Sequence, residues 1–97
     1  MFKIAFIIVT FNGENYIKKC IESIIKYFPN SYIIVVDNNS KDGTQELLKN
    51  LRVDHLIISP LNMGFGRANN LGLRHALQTN CDTFFLVNQD IYFHSND

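Results

Sequence analysis

The chain has 97 residues, of which 46% are hydrophobic and 19% are charged, and its 9 basic and 9 acidic side chains give a formal net charge of zero. This composition is typical of a core-forming globular domain, which we expect to span residues 1–97, and it excludes a disordered tail. Because the chain has no basic surface field, neither nucleic acid nor acidic lipid is expected as its main partner.

The first predicted element is a strand at residues 3–9, where isoleucine, valine and phenylalanine predominate without a polar alternation. Runs of this kind are typical of strands covered on both faces in a parallel sheet. A helix is predicted over residues 15–28, because apolar residues recur there every three or four positions until Pro29 and Asn30 end the pattern. A second strand follows at residues 31–37.

The same alternation continues to the end of the chain. Ser40 or Asp42 can cap the second helix. The order β-α-β-α-β-α-β predicts right-handed crossovers and a Rossmann-like α/β fold, a three-layer sandwich with a mainly parallel four-stranded sheet and helices on both faces. The remaining elements are expected at residues 43–51 (helix), 54–59 (strand), about 64–78 (helix) and 83–88 (strand).

Neither a membrane segment nor a cysteine framework is expected. The longest apolar run, residues 4–9, is far shorter than the roughly 20 residues of a membrane span, and the first residues lack a small-residue cleavage site. We therefore expect a soluble cytoplasmic protein. Cys20 and Cys81 belong to no CxxC pair, which indicates two buried small hydrophobic side chains and no zinc or disulfide framework.

Polar residues follow three of the four predicted strands. Thr10 and Asn12, with Phe11 between them, come after the first strand, residues 37–40 after the second, and residues 88–90 after the fourth. In a parallel sheet the carboxyl ends of the strands lie at one edge, and ligands bind beyond that edge. We expect these side chains to meet there.

Two carboxylates in this set allow a structural and a functional interpretation. Asp37 either caps a turn rich in Asn, Ser, Asp and Gly or accepts the imide N–H of a uracil or thymine ring. Asp90 is either a solvated carboxylate or a ligand for Mg²⁺ or Mn²⁺ on a diphosphate, since hard oxygen donors suit these ions. Arg67 either contacts the diphosphate or is exposed. A dinucleotide fingerprint is not expected, because the first strand is followed by a single glycine, and no P-loop sequence occurs.

Four segments carry the sequence features of one known family. They are IIVTFNGENYIKKCIESI, IIVVDNNSKDGTQELL, NMGFGRANNLGLRHAL and FFLVNQDIYF. In this order and spacing they resemble the inverting family 2 glycosyltransferases with the GT-A fold, in particular their rhamnosyltransferase-like members. The resemblance covers essentially the whole chain and identifies it with the N-terminal, nucleotide-sugar-binding half of that fold.

The resemblance implies transfer of a sugar from a UDP- or dTDP-sugar to a glycan or lipid-linked acceptor, as in polysaccharide biosynthesis, with help from Mg²⁺ or Mn²⁺. It implies that Thr10, Phe11 and Asn12 line the base and ribose pocket and that Asp37 binds the pyrimidine imide. It also implies that residues 88–90 are the family's D-x-D motif. In that motif Asn88 would take part in nucleotide binding, and Asp90 would ligate the metal.

Two departures from the family pattern lie in this last motif. Asn88 supplies a neutral amide where many relatives have a carboxylate, which predicts a weaker contact to the ribose and metal. Gln89 replaces the usual proline, which predicts a less rigid turn.

The acceptor site and the general base of the family have no match in these residues. We therefore expect no turnover by the chain alone, since the acceptor hydroxyl needs a base. We also expect an open hydrophobic edge at the fourth strand that favours self-association. The alternative function is a nucleotide-binding module without turnover, either a remnant or one half of a split enzyme.

Overall fold

A computed structural model describes residues 3–94 of the protein. Each predicted helix and strand is present in these residues, and no boundary differs from the prediction by more than two residues. The elements are β1 (Ile4–Thr10), α1 (Ile17–Tyr27), β2 (Tyr32–Asp37), α2 (Thr44–Lys49), β3 (His55–Ile58), α3 (Phe65–Ala76) and β4 (Thr83–Asn88).

The four strands form one parallel sheet with the order β3-β2-β1-β4. β1 lies inside the sheet, and its Ile8 pairs with Val35 of β2 on one side and with Val87 of β4 on the other. Because all four strands run in the same direction, their carboxyl ends lie at one edge, as the sequence predicts.

Helices cover both faces of this sheet, which confirms the predicted three-layer α/β architecture. On one face, Ile8 is buried in a cluster with Ile21 of α1 and Leu48 of α2. On the other face, α3 lies over Ile7, and it approaches so closely that a Cβ on Gly72 would lie 2.5 Å from Cγ2 of Ile7. The prediction from alternating elements is therefore correct at the level of layers.

β4 is an edge strand and is less covered than β1. Among residues 3–94 it pairs with β1 alone, and its Phe85 and Leu86 are 48% and 57% exposed. The expectation that continuous apolar runs are covered on both faces is correct for β1 and wrong for β4, because Phe85 stacks on Phe6 of β1 yet stays about half exposed, as does Leu86.

The cysteines have the buried surroundings that the sequence predicts, and two histidines pack against each other. Cys20 and Cys81 are buried and unpaired. His55 of β3 and His75 of α3 stack with their ring centroids 3.6 Å apart, and the Tyr32 hydroxyl lies 3.2 Å from Nε2 of His75. None of the helices within residues 3–94 has the length and apolar character that a bilayer crossing requires.

Candidate nucleotide-sugar site

The loops after β1 and β2 are hydrogen-bonded to each other at the carboxyl edge of the sheet. The amide of Asn12 donates to Oγ of Ser40 at 2.9 Å, and the amide of Gly13 donates to Oγ1 of Thr44 at 2.8 Å. In the opposite direction, the amide of Lys41 donates to Oδ1 of Asn12 at 2.8 Å. Asn12 holds a left-handed backbone with φ of 48°, a conformation that asparagine tolerates better than most residues. The predicted meeting of these loops is therefore confirmed.

The carboxylate of Asp37 lies beneath these loops and is fully buried. It accepts hydrogen bonds from the amide and hydroxyl of Ser40 at 3.0 and 2.6 Å and from Nε2 of Gln45 at 2.8 Å. These donors belong to the loop after β2 and to α2, so Asp37 fixes the shape of that loop. This is the structural role that one of the two sequence interpretations assigned to it, and its contact to a base stays a prediction.

Asp42 restrains the start of α2, although the helix begins only after Gly43. Its carboxylate accepts hydrogen bonds from the amide and hydroxyl of Thr44 and from the amide of Glu14. Burial opposes ionisation, but these hydrogen bonds outweigh it and lower the pKa of Asp42. Gly43 occupies the N-cap position, so the predicted cap is wrong in position, but of its two candidates Asp42 does accept the hydrogen bond of the first helical amide.

The loop after β4 is attached to the end of β1 by the side chain of Gln89. Its Oε1 accepts hydrogen bonds from the Thr10 hydroxyl at 2.6 Å and from the Phe11 amide at 3.0 Å, while its Nε2 donates to the Phe11 carbonyl oxygen at 3.2 Å. We call these three hydrogen bonds the Gln89 bridge. The sequence predicts a less rigid turn at this position, but the structure restrains it with three side-chain contacts.

A crevice of about 570 Å³ lies at this edge of the sheet, and its volume is typical of small-molecule sites. Three aromatic rings line it, from Phe11, Tyr16 and Phe65, and each of these side chains is between 40% and 53% exposed. Among the described residues that line it, Asp90 alone is charged. The full lining consists of Val9, Phe11, Tyr16, Asn38, Asn62, Gly64, Phe65, Asn88, Gln89 and Asp90.

The residues predicted for the site divide into two groups of three. Phe11, Asn88 and Asp90 line the crevice. The remaining three have side chains engaged in the hydrogen bonds that hold its walls together, and they are Thr10, Asn12 and Asp37.

Asn38 and Tyr16 are two of the lining residues that were not among the residues predicted to contact a ligand, although Asn38 was expected at this edge of the sheet. Asn38 accepts a hydrogen bond from the Met63 amide at 2.8 Å and donates one to the Gly64 carbonyl oxygen at 3.2 Å, so it connects the loop after β2 to the start of α3. The sequence feature that could have identified Asn38 as a lining residue is its position directly after a strand, next to Asp37. Tyr16 directly precedes α1, and its signal in the sequence was an aromatic residue in the loop that follows the first strand.

Cys20 of α1 lies under the loop after β4, with its Sγ 3.8 Å from the carbonyl oxygen of Asn88. Burial, with a further contribution from the Asp90 carboxylate, raises the pKa of Cys20 to about 12. The thiol is therefore neutral near pH 7 and is not an activated nucleophile.

The oxygen donors of the crevice suit a cation that arrives together with a diphosphate. Residues 3–94 contain no group of three or more His, Cys, Asp or Glu side chains that could hold a metal ion. Asp90 offers one carboxylate and Asn88 one amide oxygen at the crevice. Because Mg²⁺ is commonly bound by one or two carboxylates together with substrate phosphates and water, this donor set fits such an ion.

Solved structures place this fold among the GT-A glycosyltransferases. S. aureus TarS, residues 1–349, matches with a TM-score of 0.80 and 26% identity over 93% of this chain and 28% of that protein. A further structure of TarS, with 25% identity, is a complex with UDP. The mannosyltransferase PcManGT from Pyrobaculum calidifontis, solved with GDP-Man and Mn²⁺, matches in fold with a TM-score of 0.83 and 21% identity over 98% of this chain and 29% of that protein.

The chain belongs to Glycosyl transferase family 2, whose family pattern matches residues 5–97. Glycosyltransferase GlyA of Streptococcus pneumoniae serotype 4 is 39% identical over 77 residues, which are 75% of this chain and 11% of GlyA. The dTDP-rhamnosyl transferase RfbF of Shigella flexneri is 30% identical over 86 residues, which are 87% of this chain and 28% of RfbF. The chain therefore spans only a small part of the length of these relatives.

Proposed function

We propose that this chain forms the donor site of a glycosyltransferase that uses a UDP- or dTDP-linked sugar. The observation that carries the proposal is the crevice, in which aromatic rings and amides surround one carboxylate, that of Asp90. Aromatic faces suit a nucleobase, and amides suit the ribose and sugar hydroxyls. Phe11, which lines the crevice with Tyr16, is the candidate for stacking on the base.

The charge of the crevice supports metal assistance. A diphosphate is strongly negative, and the lining residues within the described chain include no Lys or Arg to balance it. Arg67 in the first turn of α3 is exposed and does not line the crevice. We propose that Asp90 and Asn88 hold Mg²⁺ or Mn²⁺ against the diphosphate. When bound, such a cation stabilises the negative charge on the leaving diphosphate.

The pyrimidine assignment is supported by two relatives, TarS in complex with UDP and the dTDP-rhamnosyl transferase RfbF. Thr10, Asn12 and Asp37 remain our candidates around the base and ribose. For Asp37, an imide contact requires that Nε2 of Gln45 give up its hydrogen bond to the carboxylate. A purine nucleotide that binds as well as UDP and dTDP would contradict this assignment.

We propose a glycan or lipid-linked acceptor, as in polysaccharide biosynthesis, and a cytoplasmic location. Turnover is proposed to need residues beyond these, since the chain matches only 28% of RfbF. If the chain binds a nucleotide sugar but transfers no sugar, the alternative of a binding module or one half of a split enzyme becomes the better description.

Calorimetric titration with UDP, dTDP and GDP, each with and without Mn²⁺, tests the proposal. The wild type is expected to bind a pyrimidine nucleotide more tightly in the presence of Mn²⁺, and Asp90→Asn is expected to lose this dependence on the metal. Asp82→Asn is the matched control, because Asp82 precedes β4 at the opposite end of the strand, where it contacts the Lys3 amide. A folded wild type that binds none of the three nucleotides, or binds them equally without Mn²⁺, would sink the proposal.

A further inference from the structure

We propose that Gln89 is the positioning residue of this donor site, because the Gln89 bridge holds the loop that carries Asp90 in a fixed place relative to Phe11. The inference rests on the proposed function of the crevice and adds to it a residue that sets the spacing between the base side and the metal side. Gln89 acts through Asp90 and Phe11 and not as a catalytic group.

The bridge begins where the pairing of the two strands stops. The register between β1 and β4 ends at Val9 and Asn88. Beyond that pair, the side-chain amide of Gln89 accepts a hydrogen bond from the N–H of Phe11 and donates one to its C=O. A neighbouring strand contacts a residue in the same way, with one acceptor and one donor, so the amide group of Gln89 extends the sheet by a side chain.

The chemistry of the bridge requires a primary amide. Oε1 accepts two hydrogen bonds, from the Thr10 hydroxyl and the Phe11 amide, and Nε2 supplies the donor for the Phe11 carbonyl oxygen. A leucine is comparable in size to a glutamine but offers neither group. Gly13 leaves the necessary room, since a Cβ there would lie 2.2 Å from Oε1 of Gln89.

The bridge joins Gln89 to Thr10 and Phe11, which precede it in the chain by 79 and 78 positions. Gln89 itself lies between two lining residues of the crevice. Asn88 and Asp90 flank Gln89, and the turn that follows is closed by the Ile91 amide, which donates to the Asn88 carbonyl oxygen at 3.1 Å. With Gln89 attached to Phe11, the backbone on both sides of Gln89 is fixed relative to β1. Partners that orient a metal ligand in this way commonly change metal affinity by about 10- to 100-fold when they are removed.

The test compares four variants with the wild type in titrations with UDP or dTDP in the presence of Mn²⁺. Gln89→Leu is expected to weaken the metal-dependent affinity by roughly 10- to 100-fold. Gln78→Leu makes the same change at an exposed site after α3 and should bind as the wild type does. Thr10→Val removes one donor of the bridge and should weaken binding, whereas Thr10→Ser keeps the hydroxyl and should restore it.

The bridge also has a readout that needs no ligand. In the free protein, Gln89→Leu should shift the amide resonance of Phe11 in an ¹H–¹⁵N spectrum, because that N–H loses its acceptor, while Gln78→Leu leaves it in place. Should Gln89→Leu fail to fold, Gln89→Met carries the same comparison, because its unbranched side chain is of similar length and lacks both groups of the amide.

The outcomes separate the two proposals. A wild type that binds no nucleotide overturns the proposed function, and the positioning role falls with it. A wild type that binds, together with bridge variants of unchanged affinity and unchanged dependence on Mn²⁺, overturns the positioning role alone, even if those variants are less stable.

Discussion

Asp37 and Asp90 both follow a strand of the sheet, yet the residues around them give them different tasks. Asp37 is fully buried, and Ser40 and Gln45 occupy its oxygens. Asp90 is exposed at the crevice, where its charge is free to meet a cation. The difference follows from packing, since a buried carboxylate needs hydrogen-bond donors of its own, whereas an exposed one is solvated until a ligand arrives.

Gly13→Ala tests the hydrogen bonds of the Gln89 bridge by adding one carbon atom beside them. The added Cβ would collide with Oε1 of Gln89 and Oγ1 of Thr10, and Gln89 is expected to move away and lose its hydrogen bonds. We expect the free energy of unfolding, measured in urea, to fall by roughly 1–3 kcal/mol. Gly66→Ala is the control, because a Cβ on Gly66 of α3 meets no atom within 4 Å. If Gly13→Ala has an undiminished effect in a Gln89→Ala background, the bridge is not the cause.

At the scale of elements, β3 is joined to α3 by an aromatic stack. His55 and His75 lie face to face, with their ring planes 6° apart, and Tyr32 of β2 stacks on His75 at a centroid distance of 6.0 Å. Burial and the neighbouring His55 both lower the pKa of His75. The contact between strand and helix therefore favours the neutral imidazole.

This contact makes the stability of the protein depend on pH. Because the folded state lowers the pKa of His75 below its ordinary value of 6.5, the unfolded chain binds the proton more readily. The stabilisation is complete above about pH 6.5 and is lost as the pH falls from there through the folded pKa. Urea unfolding between about pH 7 and pH 5 should show this decline, and His75→Asn should flatten it.

The partner histidine supplies the check on that prediction. In an NMR titration, His55→Asn is expected to raise the pKa of His75 towards its ordinary value, since one of the two causes of the lowering is removed. An unchanged titration of His75 in this variant, or an equally steep decline in stability in His75→Asn, would contradict the assignment.

At the scale of the whole molecule, the sheet of the described residues has two edge strands, β3 and β4, and β4 is the one with two adjacent large apolar side chains about half exposed. β4 pairs with β1 on one side alone, and its Phe85 and Leu86 are about half exposed. An uncovered apolar edge strand is a ready template for pairing with another chain.

We therefore expect the protein to self-associate through β4, as the sequence predicts. Sedimentation velocity at tens of micromolar should give a weight-average coefficient that rises with concentration, and Leu86→Lys should reduce this rise because charges oppose edge pairing. Leu77→Lys is the control, since Leu77 is 65% exposed at the end of α3. A wild type that sediments as a monomer throughout would refute the expectation.

The layers of the fold were predictable because apolar spacing along the chain records which face of each element is buried. The side-chain contacts around the crevice were less predictable. Periodicity shows that Asp37 ends a strand but not that Gln45 reaches its carboxylate. The contact between Thr10 and Gln89 depends on β4 lying beside β1, and strand order is not contained in local sequence patterns. Residues that follow a strand were therefore found, and their contacts were not.

The hydrogen bonds around the end of β1 also determine how far the loops of the crevice would have to become ordered when a nucleotide sugar binds. One side of that end is bonded to the loop after β2, through Asn12 and Ser40, and the other to the loop after β4, through Gln89. Both loops are thus attached to β1, a strand whose residues are almost entirely buried. Ordering of loops commonly opposes binding through lost conformational entropy. Here the loops already lose that conformational entropy when the protein folds, so a nucleotide sugar would bind to a preorganised site.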